Sequence, residues 1–223
     1  MTWDEARTQG RREAAPAALL LSLLYIGLAA VSWAQGWELL DLHWWVWLTV
    51  AGPALLLTLD LLLALGGQGL VQSRDAAVTL LALLVLANLA ALSILVVGLV
   101  STSTKELTGA ELLVTGAALW SANVIVLGLL FWEIDAGGPA HRMRDTSRTN
   151  PDLRFPQDED SDNPWRPVVW DYLYVSLTNS IAFSPTDTMP MTLRAKTTME
   201  LGSVVAAFPV LLVLARAVNV IGN

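Results

Sequence analysis

The sequence predicts an all-α integral membrane protein with five transmembrane helices and one re-entrant, pore-like half helix. Three observations carry this expectation. The 223 residues are 54% hydrophobic and 15% charged, with a mean hydropathy of +0.53. The charges gather into short blocks between apolar runs of about 20 residues, the length that crosses a hydrocarbon core of about 30 Å. One late segment, Asp171 to Pro190, is apolar for only half that length and then turns into hydroxyls and one carboxylate.

The first apolar run, Ala15 to Ala34, follows Arg11 and Arg12. Its length and Trp33 argue for a retained helix over a cleaved signal peptide. Three further runs follow at Trp44 to Leu65, Ala76 to Val100 and Ala110 to Trp132, joined by short connectors that predict antiparallel packing. Trp33, Trp37, Trp44, Trp45 and Trp47 crowd one interface and Trp132, Trp165 and Trp170 the other, as aromatic belts do.

Residues 136–166 break the pattern. Gly137, Gly138 and Pro139 are followed by five arginines and by the acidic cluster Asp158 to Asp162, with little apolar periodicity. The expectation is a charged, partly disordered loop. Its acidic cluster lacks the glycine and the ligand spacing of a calcium loop. Asn163 to Pro167 supplies a rigid elbow before a half helix that starts near Val168, because proline fixes φ and suits a first helical turn. The last span runs from Thr192 to Val220. The chain thus divides into a four-helix transmembrane region (1–135), the loop (136–166), and a half helix, polar loop and final helix (167–223).

The composition also narrows function. A net charge of −7 offers no concentrated basic surface for nucleic acid. The absence of cysteine removes disulfides, thiolate nucleophiles and cysteine metal sites, and two histidines make no histidine-rich centre. Neither an enzyme nor a metal or cofactor is expected. Placing the N-terminus in the cytoplasm puts Arg7, Arg11, Arg12, Arg74 and the five arginines of the loop inside and Lys105 outside. The half helix then enters from the cytoplasmic side. It either re-enters, leaving Arg194 and Lys196 inside, or crosses as a short span and carries them outside.

Several polar residues interrupt the apolar runs. Asp60 reads as interfacial, and Asn88 and Asn123 as interhelical hydrogen-bond glue worth about 1 kcal/mol. Arg216 either snorkels to the interface or pairs an acid such as Glu133 or Asp135. Ser184, Thr186, Asp187 and Thr188 follow one another so closely that a dry interface could not satisfy them all, whereas water or a ligand could. With Thr178 on the half helix, they are the candidate ion-pathway residues.

From Tyr174 onward the chain resembles the pore region of potassium channels. Tyr174, Ser176 and Thr178 match the pore helix, Asp187 the aspartate after the filter, Pro190 the proline beyond it, and Thr192 with Lys196 the start of the inner helix. The resemblance implies a homo-oligomer, a tetramer by analogy, passing a monovalent cation. The filter glycines are missing: Ser184, Pro185 and Thr186 stand there, and they cannot cheaply adopt the left-handed conformations of a carbonyl ladder. Coordination would fall to hydroxyls and the Asp187 carboxylate. The alternative is a non-conducting scaffold or interaction protein, with the arginine-rich loop docking a partner or anionic membrane lipid.

The whole chain also resembles a group of bacterial, largely actinobacterial, multi-spanning membrane proteins. Phe131 to Pro139, Phe155-Pro-Gln157, Asp171 to Tyr174, Phe183 to Pro190, Arg194-Ala-Lys196 and Ala215 to Asn219 carry this likeness. It implies a multi-pass fold in the bacterial plasma membrane and no activity.

Overall fold

The computed structural model describes residues 2–38, 42–65, 74–100, 108–145, 150–159, 165–184 and 187–221, with the backbone alone for 64–65, 98–100, 109 and 208–221. Among these residues are seven α-helices: α1 (Trp3–Gln35), α2 (Val46–Leu65), α3 (Arg74–Val100), α4 (Gly109–Ile134), α5 (Pro139–Arg144), α6 (Val169–Ala182) and α7 (Leu193–Ile221). Two short strands, β1 (Leu153–Arg154) and β2 (Met189–Pro190), pair antiparallel. Helices α1 to α4 are each long and apolar enough to cross a membrane, so the chain is a mostly helical, multi-pass membrane protein. Their outward faces expose Leu20, Leu23, Leu56, Leu59, Leu86 and Leu113. A contiguous apolar exterior of that kind suits lipid rather than water.

Helix α1 is longer than the apolar run foretells. Its 33 residues rise about 50 Å, more than a bilayer core needs. The added N-terminal turns begin at Thr2, whose hydroxyl accepts from the Glu5 amide while the Glu5 carboxylate accepts from the Thr2 amide, a reciprocal cap. Ala6, Gly10 and Ala14 form a buried stripe of small residues on these turns. A Cβ at Gly10 would lie 2.9 Å from Pro139, so the small side chain is what lets α5 rest on α1. Gly36, at φ 64°, ends the helix.

The bundle is held mid-depth by polar clasps. The Tyr25 hydroxyl donates to Asn88 at 2.8 Å, and the Asn88 amide donates to Asn123 at 3.1 Å, tying α1, α3 and α4. Ser22 and Thr58 join α1 to α2 at 2.9 Å. Asn88 and Asn123 therefore act as the interhelical glue that their placement in apolar runs suggests.

Close backbone approach seats α6 against α4. A Cβ at Gly128 would meet the Leu173 Cα at 3.0 Å and its Cδ2 at 2.6 Å, whereas one at the exposed Gly27 would meet nothing. Overpacking a well-packed contact costs about 1–3 kcal/mol. Gly128→Ala should therefore lower the thermal midpoint of the purified protein by several degrees, and Gly27→Ala should not lower it, as read by circular dichroism in detergent.

Candidate functional site

The site unit is α6, the polar stretch after it, and the start of α7. Its geometry follows from which ends meet. Tyr172, one turn into α6, donates its hydroxyl to Asp135, just past the end of α4, at 2.6 Å. Thr192 and Arg194, at the start of α7, bond Asp152, which itself bonds Ala136 beside Asp135. Both helices therefore set out from the same end of the bundle and run alongside α4. Deeper in, the Asn179 amide donates to the Met199 carbonyl at 3.0 Å and its oxygen accepts from Ser203 at 3.3 Å. Gly202 is packed on Leu127 and Asn179, which sets this clasp about 10 Å inside the end of α4.

Helix α6 has 14 residues and rises about 21 Å, short of the roughly 30 Å of a bilayer core. Phe183 closes it in the left-handed region at φ 54°. The chain then returns to the starting end, where Met189 and Pro190 pair with Arg154 and Leu153. The return's described residues 184, 187 and 188 are not helical. One face of α6 presents Trp170, Tyr174, Leu177 and Ile181 outward, while Val169, Tyr172, Val175, Ser176, Asn179 and Ser180 are buried.

The candidate pathway residues fall in different surroundings. Thr178 is half-buried and its hydroxyl donates to the Tyr174 and Val175 carbonyls of its own helix. Ser184 and Asp187 are exposed on the return. Thr188 is buried and its hydroxyl donates to the Asp187 carboxylate at 3.3 Å. Thr186 lies outside the described residues, as do Pro185, Arg148, Lys105 and Asp160 to Asp162; the side chains of Arg216 and Asn219 do too. The structure thus brings Asp187 and Thr188 together, with Ser184 just past the end of α6 and Thr178 on that helix. Among the described residues no group of three or more acids and histidines is arranged to hold a metal ion.

The sequence reading missed the pair of carboxylates that anchors this unit. Asp135 is fully buried, and its Oδ1 accepts from the Asp152 and Leu153 amides at 2.8 and 3.0 Å. Its carbonyl accepts from Arg142 at 2.6 Å, and the buried Arg142 guanidinium lies 4.9 Å from the centre of the Tyr172 ring. Asp152, also fully buried, accepts from Thr192, from two nitrogens of Arg194 and from the Ala136 amide. Ala136 stands at φ 47°, followed by Gly137 and Gly138 at 80° and 95°. A left-handed alanine costs about 1–2 kcal/mol, and the bond to Asp152 offsets that. The available signal was the Asp-Ala-Gly-Gly-Pro run at 135–139, which reads as punctuation after a helix without showing what its aspartate holds.

Residues 136–166 accordingly carry more structure than their composition foretells. Phe155 packs on Trp165 and Tyr172 with ring centres 5.3 and 5.4 Å away, and Arg166 pairs with Glu13 at 2.9 Å. No protein-family model, curated protein or solved structure matches the chain.

Burial acts to raise the pKa of Asp152, but hydrogen bonds from Arg194 and Thr192 outweigh it and leave the carboxyl below its usual value. A depressed native pKa contributes stability above the unfolded value of about 3.9, and this is lost as pH falls through the native value. Thermal unfolding from pH 7 to pH 3 should show that loss. Arg194→Gln, which removes the half-exposed partner of the buried Asp152, should cost about 1–3 kcal/mol at pH 7 and shrink the loss on acidification.

Proposed function

We propose that the protein is a channel-like membrane protein whose copies assemble around α6, the return after it and α7, enclosing a water-lined cation pathway beside Ser184, Asp187 and Thr188. In this reading α1 to α4 and α7 are five spans and α6 is a re-entrant half helix. The N-terminus faces the cytoplasm of a bacterium, across its plasma membrane.

The observation that supports it is that the return begins at Phe183, about 21 Å along α6 from its start, and that its described residues 184, 187 and 188 are non-helical, with Ser184 and Asp187 exposed. Irregular backbone at membrane depth is tolerated only where protein buries it or water lines it, because lipid offers no hydrogen bonds to its N–H and C=O groups. In a single copy Phe183, Ser184 and Asp187 face outward. A symmetric oligomer, a tetramer by analogy, turns them toward an axis that water can fill.

Charge argues for cations. The C-terminal end of α6 directs the negative end of its dipole at the return. A ring of Asp187 carboxylates, one per copy, adds fixed negative charge near the mouth. Thr188 holds the carboxylate by a hydrogen bond, and Ser184 offers a hydroxyl oxygen deeper in. Thr178, committed to its own helix, shapes the wall.

The non-conducting scaffold remains the competing reading. It draws on Phe183, Met189, Met191 and Leu193, all exposed at the return and its ends, as an apolar protein-binding surface. The arginine-rich loop supports it less, because Arg142 is buried, Arg144 stacks on Trp3 at 4.1 Å and Arg166 pairs with Glu13.

Flux into liposomes holding the purified protein separates the two. Under potassium, sodium and chloride gradients, the native chain should pass cations in preference to chloride, and Asp187→Asn should reduce cation flux or its selectivity several-fold. Absence of flux in both, or flux indifferent to Asp187, would overturn the pathway and leave the scaffold.

A further inference from the structure

A second feature lies apart from the return. At the same end of the bundle, α1, α2, α3, α4 and α5 surround a cavity of about 340 Å³. That volume lies in the range of small-ligand pockets, roughly 300–1,000 Å³. Its inner wall is apolar, made by Leu57 and Leu61 of α2, Ala77 and Leu81 of α3 and Leu129 of α4. Its outer wall carries Arg7, Arg11 and Arg74, with the buried carboxylates Asp60 and Glu133.

The lining carries three guanidiniums and two carboxylates, and at the rim Arg7 also lies 4.0 Å from the exposed Asp4. Arg74 lies 3.7 Å from Glu133, so this acid is balanced where it stands. Asp60, expected to be merely interfacial, is 2% exposed, and it too belongs to the wall. Gly138, at φ 95°, brings the backbone so close that a Cβ would sit 3.4 Å from the Arg74 guanidinium, and Gly137, Pro139 and Ala140 form the rest of that side.

We propose that this cavity binds the phosphate headgroup of an anionic phospholipid, with the guanidiniums on the phosphate and the first acyl carbons against the leucines of α2 and α3. The arrangement matches an amphiphile: charge at the outer wall, hydrocarbon at the inner, both at the depth where a lipid places its own boundary. Arginine suits phosphate because its planar fork donates two parallel hydrogen bonds. Basic pockets between transmembrane helices on the cytoplasmic side are where anionic headgroups lodge. A free phosphate would use the guanidiniums and leave the leucine wall unused. The inference does not depend on conduction.

The test is thermal stabilisation of the full-length, delipidated protein in detergent, with phosphatidylglycerol, phosphatidylcholine or inorganic phosphate added. Phosphatidylglycerol should raise the midpoint by several degrees at concentrations at least tenfold below those at which phosphatidylcholine acts, and inorganic phosphate should have no comparable effect. Arg7→Gln with Arg11→Gln should weaken that preference about tenfold. Ala77→Phe fills the cavity while leaving every charge in place, and it should abolish the preference even if the arginine variant fails to fold. Equal stabilisation by both lipids, equal stabilisation by inorganic phosphate, or an unchanged preference in Ala77→Phe would each overturn the assignment.

Discussion

Two carboxylates buried at one end of the bundle, Asp135 and Asp152, set the register of everything after α4. Burying an ion costs several kcal/mol unless hydrogen bonds replace its water. Here each oxygen is supplied from a different stretch of chain: Asp135 from the amides of 152 and 153 and from Tyr172 of α6, Asp152 from Ala136 and from Thr192 and Arg194 of α7. The cost of dehydration is met only when all of these segments arrive together. A loop rich in charge is thereby pinned at its middle, and two helices are given a common starting level.

That common level constrains the chain between the two helices. Because α6 and α7 leave from the same end, the chain between them must climb back along a 14-residue helix. Arg142 tightens the arrangement from above, holding the Asp135 carbonyl while its guanidinium covers the Tyr172 ring. The return is thus imposed by polar contacts at the end of the bundle, and in the proposed re-entrant placement water or another copy of the chain would serve its backbone.

How much of this the sequence discloses depends on the range of the interaction. The four long spans follow from length and hydropathy, and Asn88 and Asn123 announce themselves as polar residues in apolar runs. The short α6 is equally plain, because its apolar run stops after Ala182. The N-terminal turns of α1 are hidden, since Arg7, Arg11, Arg12 and Glu13 mask a stripe of small residues whose meaning depends on Pro139 and Trp132 far along the chain. Asp152 is the least legible. It sits in a charged loop like any solvated acid, and its partners lie 16, 40 and 42 residues away. Of the pathway residues, sequence shows the density of hydroxyls, but only the fold shows that Thr178 is committed to its own helix while Asp187 is exposed and bonded to Thr188.

The proposed cation route would open at the end where most of the arginines gather, and local pairing bears on that apparent conflict. Arg194 lies on Asp152, Arg166 on Glu13, Arg154 near Glu159 and Arg74 near Glu133. Each is a near-neutral pair beyond a few ångströms, and what field remains in water is screened over about 8 Å at physiological salt. These four arginines therefore stitch the end face together while adding little net charge to it. Asp187 is exposed on the return, and the nearest arginine in sequence, Arg194, is held on Asp152.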